Sequence, residues 1–454
     1  MSALTCFKAY DIRGELGVNL HAKIAYDIGR AVASHFGARS IVLGLDARES
    51  SPELAEAVAR GVCDAGSDVL DIGLAGTEEM YWAVSAFGAC AGVEVTASHN
   101  PINYNGMKIV KSGSQPLDDA SDFQVIRTRA SAAEWHPGVT IGKVRDISAE
   151  ARDAYVEKVL DFVDTSALKP LKMVINSGNG AAGPTVDAVL ERLASLGVAL
   201  DVVRVNHEPD HTFPNGIPNP LLPENHAATA SVVKAEGADF GVAFDGDFDR
   251  CFFFDGGGKF VAGEYVVGLL AEKFLKIEAG AKIVHDPRVI WNTQDVIATY
   301  GGEPVMAKTG HAFIKQAMRE RGAVYGGEIS AHHYFRDFAY CDSGIIPWLL
   351  VWEILSKGGE TLGDYVARRA TLFPSSGERN FRIHDADEVL SDIRARFEAV
   401  AVLDETDGLS LSTDGWRFNV RKSNTEPLVR LNAEAHNPKI LLSILGDLAE
   451  HFHS

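Results

Sequence analysis

Three aspartates stand at alternate positions in Asp245-Gly-Asp-Phe-Asp-Arg250, with Gly246 permitting a tight bend. On a curled loop, carboxylates so spaced converge on one hard cation, and without a cation they would repel one another. The segment is too sparse for a calcium loop of the EF-hand kind. Mg²⁺ fits better, because it takes a few protein carboxylates and fills its octahedron with water or phosphate oxygen. The plainer reading is an acidic, solvated turn. The loop follows an apolar run directly and ends in Arg250, which favours the metal.

A second stretch, Val93-Glu-Val-Thr-Ala-Ser-His-Asn-Pro101, offers a nucleophile. Glu94 to Thr96 read as the end of a buried strand. Asn-Pro is a turn dipeptide, since the residue before proline is pushed out of the helical region. Ser98 is therefore expected on a tight loop at the mouth of a strand, where α/β sheets carry their chemistry. Asn103, Tyr104, Asn105, Gly106 and Lys108 follow, and read as a wet polar loop with one cation. Taken alone, Ser98 is equally well a polar turn residue.

Two further clusters recognise rather than react. Arg421-Lys-Ser-Asn-Thr-Glu-Pro427 supplies a guanidinium fork, with Ser423, Asn424 and Thr425 as hydroxyl, amide and backbone donors. That set suits a phosphate held firmly but reversibly, although an ordinary hairpin reads the same way. Gly327-Glu-Ile-Ser-Ala-His-His333 places Glu328 and Ser330 two residues apart, on one face if the segment is extended, where they can grip vicinal hydroxyls. His332 can shuttle a proton, and Thr309-Gly-His311 lies shortly before. A serine, a three-carboxylate metal loop, a hydroxyl reader and a phosphate cradle together describe phosphoryl transfer on a sugar phosphate, if one cleft unites them.

The elements that must position these clusters follow an alternating pattern. Ile41–Asp46, Val69–Ile72 and the Ser98 strand alternate with helices expected over Ser51–Gly66 and Glu78–Phe87. Such alternation marks parallel α/β topology. A second unit has strands at Lys172–Asn176 and Asp239–Phe244. Its glycine-rich Ser177–Gly183 lacks a P-loop lysine and reads as a tight strand-to-helix turn rather than a phosphate site. A third has strands at Lys282–His285 and Pro304–Lys308 and a helix at His311–Arg321. After about Leu372 the pattern becomes a small α+β domain, with strands over Leu409–Asn432 and a helix over Pro438–His451.

Composition sets the outer limits. The chain has 454 residues, 46% of them apolar, which is ordinary for a multidomain globular protein. A formal net charge of −19 argues against nucleic acid and anionic membrane as partners, though not against an anionic small substrate. The longest apolar run, Gly344 to Leu355, is broken by Pro347 and Glu353, and Lys8, Asp11 and Arg13 interrupt any leader pattern. Cys6, Cys63, Cys90, Cys251 and Cys341 are scattered without a CxxC, as in reduced cytoplasmic proteins.

In order and in combination, the Thr96–Pro101 serine loop, the Asp245–Arg250 metal loop, the Gly327–His332 sugar loop and the Arg421–Pro427 phosphate loop resemble those of the α-D-phosphohexomutase superfamily over essentially the full chain. Phe7–Gly14, Asn215-Gly-Ile-Pro-Asn-Pro220 and Ser330–Phe335 are most similar to its bacterial phosphomannomutase branch. Members that accept both mannose and glucose phosphates carry Glu-x-Ser-Gly-His, where this chain has Ala331 in place of glycine.

The resemblance implies three similar α/β domains (1–152, 153–256 and 257–370) and a C-terminal, TATA-binding-protein-like α+β domain (371–454) around a central cleft. It implies a phosphorylated Ser98 that completes the shell of an Mg²⁺ held by Asp245, Asp247 and Asp249, and hexose 1,6-bisphosphate as activator. Arg421, Ser423, Asn424 and Thr425 would hold substrate phosphate, Glu328 and Ser330 two ring hydroxyls, with Tyr10 and His311 nearby in the substrate set. Lys108, Arg13, Arg250 and His332 would move protons or steady charge. Lys108 in particular would have its pKa lowered by burial beside other cations. The implied partners are small hexose phosphates, with the protein a monomer or homodimer, and the implied activity is interconversion of mannose 1- and 6-phosphates for GDP-mannose synthesis. A metal-dependent sugar phosphatase and a non-enzymatic sugar-phosphate sensor are the rival readings.

Overall fold

The computed structural model describes residues 4–37, 39–136, 140–383, 385–422 and 428–452. It divides into two compact units, one of residues 1–260 with 337–359 and the other of residues 261–336 with 360–454. The architecture is three α/β domains followed by an α+β domain.

In the first unit, strands Ser40–Leu45, Asp68–Leu74 and Ala91–Val95 run parallel. Their apolar side chains fill a core with the helices Ala22–Phe36 and Ser51–Asp64. The helices approach so closely that a Cβ on Gly29 would lie 2.4 Å from the Val58 carbonyl oxygen. The sheet is mixed rather than purely parallel: Tyr104–Lys111 pairs antiparallel with Ala91–Val95, and Ile12–Glu15 pairs antiparallel with it in turn. The wet polar loop expected over residues 103–108 is thus largely a strand, with Asn105 and Lys108 buried. Each has a partner distant in sequence: Asn105 donates to the Ser50 and Ser51 hydroxyls, and Lys108 to Asp247.

The second sheet of this unit follows the same plan. Lys172–Asn176 lies parallel between Asp201–Val205 and Phe240–Phe244, and Cys251–Asp255 pairs antiparallel with the last. Asp245–Arg250 is therefore the connection of an antiparallel pair. The Ser177–Gly183 turn packs against that connection: Ala181 N–H donates to the Gly246 carbonyl at 3.1 Å, and a Cβ on Gly180 would sit 2.8 Å from the same oxygen. The apolar helix Ile345–Lys357 belongs to this unit, where Glu78 accepts hydrogen bonds from the Gly344 and Ile345 N–H groups at its start. No helix among the described residues is long and apolar enough to cross a membrane. All five cysteines are buried.

In the second unit, Lys282–His285 lies parallel to Glu303–Met306 and Tyr325–Gly327, and His333–Phe335 turns back antiparallel. The C-terminal sheet is antiparallel, in the order Arg379–Arg382, Leu428–Ala435, Trp416–Lys422, Leu409–Ser412, Val402–Asp404. Its apolar face packs on the helices Ala386–Phe397 and Pro438–Ala449.

Candidate active site

The serine loop and the aspartate loop meet within the first unit. Ser98 Oγ donates to Asp245 Oδ2 at 2.7 Å and lies 3.0 Å from His99 Nδ1. Arg250 Nε donates to the same Asp245 oxygen at 3.0 Å, and its Nη2 reaches Ser98 Oγ at 3.5 Å. Lys108 Nζ donates to Asp247 at 2.8 Å and also to Asp249. Arg13 donates to the Thr96 carbonyl at 3.0 Å, the residue that caps the Ser98 N–H through its own hydroxyl at 2.8 Å.

The aspartate loop is not the solvated turn that was the alternative reading. Asp245, Asp247 and Asp249 are 0%, 0% and 1% exposed. One oxygen from each carboxylate lies within 4.8 Å of the others. The Oδ1 atoms of Asp245 and Asp247 are buried and accept no hydrogen bond from the described residues. Buried carboxylate oxygens left in this condition are costly. Three hard oxygen donors converging at this spacing fit a divalent cation of the Mg²⁺ kind.

Sterics hold the loop in place. Phe248 is fully buried with a left-handed φ of 43°, and its ring packs on Gly76, where a Cβ would lie 2.2 Å from the ring. Thr77 donates its hydroxyl to Asp247 Oδ2 at 2.7 Å and its N–H to the Asp247 carbonyl at 3.1 Å. A Cβ on Gly246 would lie 2.6 Å from the Ser98 carbonyl oxygen, so the two loops touch through backbone.

The electrostatics correct one expectation. Burial alone would lower the Lys108 pKa, but Asp247 and Asp249 outweigh it and hold the ammonium above its ordinary value. The lysine is a firmly charged partner of the carboxylates in this arrangement, not an amine with a lowered pKa. Asp247 is held below the usual carboxylate range by Lys108 and Thr77, against the effect of burial.

The second unit carries the residues expected to recognise the substrate. Glu328 is buried: its Oε1 accepts from the Gly310 N–H at 2.8 Å and its Oε2 from the Tyr334 hydroxyl at 2.5 Å. Burial would raise its pKa, but His332, Arg288 and Tyr334 hold it well below the usual range. Residues 328–332 form a tight turn rather than an extended segment, with Ala331 N–H donating to the Glu328 carbonyl and Glu328 N–H to the His332 carbonyl. Ala331 takes a left-handed φ of 71° there. Ser330 Oγ, at the bend, accepts from Arg288 at 3.3 Å, and His332 Nδ1 lies 3.4 Å from Glu328. His311 opens the helix that follows Gly310. Tyr10, in the first unit, is 38% exposed on the bend before Ile12–Glu15.

Arg421 is placed on strand Trp416–Lys422, 3.4 Å from Glu378. Ser423, Asn424 and Thr425 lie outside the described residues. Arg288, which the sequence reading passed over, bridges the two recognition segments. It pairs with Asp286 at 2.7 Å and lies 3.9 Å from Glu328 and 3.8 Å from Glu378. Thr77, Gly76 and Arg48 were missed in the same way. Their one sequence signal is position, each falling just beyond the end of a strand.

Family models match this chain in chain order: phosphoglucomutase/phosphomannomutase domain I over residues 5–135, domain II over 153–258, domain III over 262–373 and the C-terminal domain over 378–451. The phosphomannomutase of Salmonella montevideo is 53% identical over 438 residues, 96% of either chain. A protein named for phosphohexose mutases from Xanthomonas campestris pv. campestris is 50% identical over 440 residues, 97% of either chain. A crystal structure of a phosphoglucomutase/phosphomannomutase family protein from Burkholderia thailandensis superposes with a TM-score of 0.86 at 32% identity, covering 99% of this chain and 97% of that one. The chain belongs to the α-D-phosphohexomutase superfamily, within its phosphoglucomutase/phosphomannomutase family. Its activity is that of a phosphohexomutase-type isomerase acting on hexose phosphates.

Proposed function

We propose that the protein is a phosphomannomutase that interconverts mannose 1-phosphate and mannose 6-phosphate through a phosphoserine at Ser98 and a hexose 1,6-bisphosphate intermediate, and so supplies GDP-mannose synthesis. The observation that carries the phosphoserine assignment is the 2.7 Å contact of Ser98 Oγ with Asp245, one of three converging buried carboxylates. The sugar assignment is supported by the name of the Salmonella montevideo relative.

Asp245, Asp247 and Asp249, with a phosphate oxygen on Ser98, are the groups that would hold Mg²⁺. The metal's contribution there is to offset charge on the transferring phosphoryl group. In the forward half-reaction the bond from phosphorus to Ser98 Oγ breaks as the bond to the sugar O6 forms. The O6 proton leaves to a base, and Ser98 Oγ regains a proton. In the second half, with the intermediate turned end for end, the bond from the other phosphorus to the sugar O1 breaks as the bond to Ser98 Oγ forms, Oγ gives up its proton, O1 takes one, and the 6-phosphate departs. Arg250 reaches Ser98 Oγ and is suited to steady charge on that oxygen. Glu328 and Ser330 bind ring hydroxyls and Arg421 holds the non-reacting phosphate. Glu328, with both oxygens already accepting hydrogen bonds, is a rigid acceptor for a sugar hydroxyl.

A dual-specificity enzyme is the second reading. It is favoured by the left-handed backbone at Ala331, a conformation that suits the glycine of dual-specificity members. Initial rates on mannose, glucose and glucosamine 1-phosphates, with Mg²⁺ and a trace of hexose bisphosphate, separate the readings. Strong preference for mannose supports the narrow assignment. Comparable glucose and mannose rates replace it with dual specificity, and steady release of inorganic phosphate without isomerisation overturns both.

A further inference from the structure

Arg48 lies just beyond strand Ser40–Leu45 and is 2% exposed. Its two terminal nitrogens donate to carbonyls of the serine loop and of the strand that leaves it. Nη2 donates to the carbonyls of Ser98 at 2.9 Å and Asn100 at 2.5 Å. Nη1 donates to those of Pro101 at 3.0 Å and Tyr104 at 3.1 Å. Asp46 fixes the arginine from behind: its Oδ1 accepts the Arg48 N–H at 3.0 Å and the Ser51 hydroxyl at 2.5 Å, and its Oδ2 lies 3.5 Å from Nε. Asn105 ties Ser51 back to the strand that leaves the loop, at 2.9 Å.

Ser98 needs such a constraint. It has a left-handed φ of 49°, a conformation that crowds any residue with a Cβ. Strain of this kind persists only where the surroundings over-determine the backbone. A peptide unit is planar and trans, so its carbonyl and the next N–H point in opposite directions. By accepting from Arg48, the Ser98 carbonyl turns the N–H of His99 to the other side of the loop and fixes the direction of the Ser98 Cα–Cβ bond. Oγ then meets Asp245. A lysine reproduces this only in part, because four carbonyls in two pairs match the planar fork of a guanidinium better than a point charge.

We propose that Arg48 is a positioning residue for phosphoryl transfer: it holds Ser98 in the one backbone conformation that aims Oγ at the aspartate loop, in both the phosphorylated and unphosphorylated states. The inference rests on the reading of Ser98 as phosphate carrier. It places the effect of Arg48 on the transfer steps and not on sugar binding, since its donors go to loop carbonyls.

The test compares wild type, Arg48→Lys and Arg48→Met in steady-state kinetics with mannose 1-phosphate. The rate at which Ser98 gains phosphate from hexose 1,6-bisphosphate is followed by intact mass. Misplacement of a reacting atom by about 1 Å costs on the order of 100-fold, so kcat and the phosphorylation rate should fall together by that factor in Arg48→Met. KM should stay within about twofold, and Arg48→Lys should recover part of the rate. Should Arg48→Met fail to fold, the comparison of folded Arg48→Lys with wild type decides, on the same split between kcat and KM. Wild-type rates in a folded variant, or a loss confined to KM, would overturn the role of Arg48. Absence of phosphate on Ser98 in the active wild-type enzyme would instead overturn the carrier reading itself.

Discussion

Ser98 donates its hydroxyl to Asp245 at 2.7 Å, although the two residues lie 147 positions apart in the chain. That contact joins the serine loop of one domain to the aspartate loop of the next, at a carboxylate that belongs to a cluster able to hold a metal ion. Asp245 Oδ2 accepts from Ser98 and Arg250, while its Oδ1 has no donor among the described residues. We expect Asp245→Asn to lower kcat by at least about 100-fold, the upper range seen when groups that orient a metal are lost. The Mg²⁺ concentration for half-maximal rate should rise as well. A Mg²⁺ titration that overlays wild type would remove Asp245 from the metal set.

Gly76 should tolerate no side chain. A Cβ there would lie 2.2 Å from the buried Phe248 ring, which is the wedge between the second and third aspartates. Gly76→Ala is expected to cost about 1–3 kcal/mol, the usual range for overpacking. It should also weaken Mg²⁺ activation, because the ring cannot move without the loop. Urea unfolding together with a Mg²⁺ titration checks both, and a variant as stable as wild type would show that the loop yields freely.

Ala331 occupies a backbone conformation that favours glycine, with φ at 71°. Ala331→Gly relieves about 1–2 kcal/mol of local strain and loses part of it to the greater freedom of the unfolded glycine chain. We expect a stability change between zero and about +1 kcal/mol. The ratio of glucose to mannose kcat/KM should rise if this position governs sugar breadth. An unchanged ratio would place the discrimination elsewhere in the turn.

His333 gives the second unit an acid-sensitive term. The ring is fully buried, its Nδ1 lies 2.7 Å from the Tyr325 hydroxyl, and burial with the neighbouring His332 charge pushes its pKa from 6.5 down to about 3. The unfolded chain binds a proton near pH 6.5 that the folded chain refuses, so this contribution is complete above 6.5 and is lost as pH falls toward 3. His333→Gln should cost about 1 kcal/mol at neutral pH through the lost hydrogen bond. Its stability should then decline less than wild type's between pH 6.5 and 4, in unfolding curves taken at both values. Parallel pH profiles would show that the ring titrates normally.

The sequence was most informative where periodicity and local chemistry agree. Lys172–Asn176, Lys282–His285 and His311–Arg321 are apolar or amphipathic runs bounded by turn residues, and their ends coincide with the observed elements. The aspartate loop was legible because three carboxylates at alternate positions leave few other purposes. Tyr104–Lys111 was misread because Asn105 and Lys108 look like solvent residues by type. They are buried only because Ser50, Ser51, Asp247 and Asp249 come to meet them from elsewhere in the chain. Glu328 and Ser330 were assigned to an extended segment, since spacing by two cannot be told from a turn when the hydrogen bonds that close it are backbone to backbone. Arg48 and Thr77 carry no motif of their own. What they do is set by carbonyls and carboxylates that only the fold brings to them.

Labelling resolves the central assignment most directly. The enzyme is incubated with radiolabelled hexose 1,6-bisphosphate, quenched and digested, and the labelled peptide is mapped, with a parallel sample first chased by unlabelled mannose 1-phosphate. Label confined to the peptide bearing Ser98, removed by the chase at the rate of turnover and missing from Ser98→Ala, is the expected result. Full mutase turnover with no label on Ser98, or with Ser98→Ala as active as wild type, would contradict it.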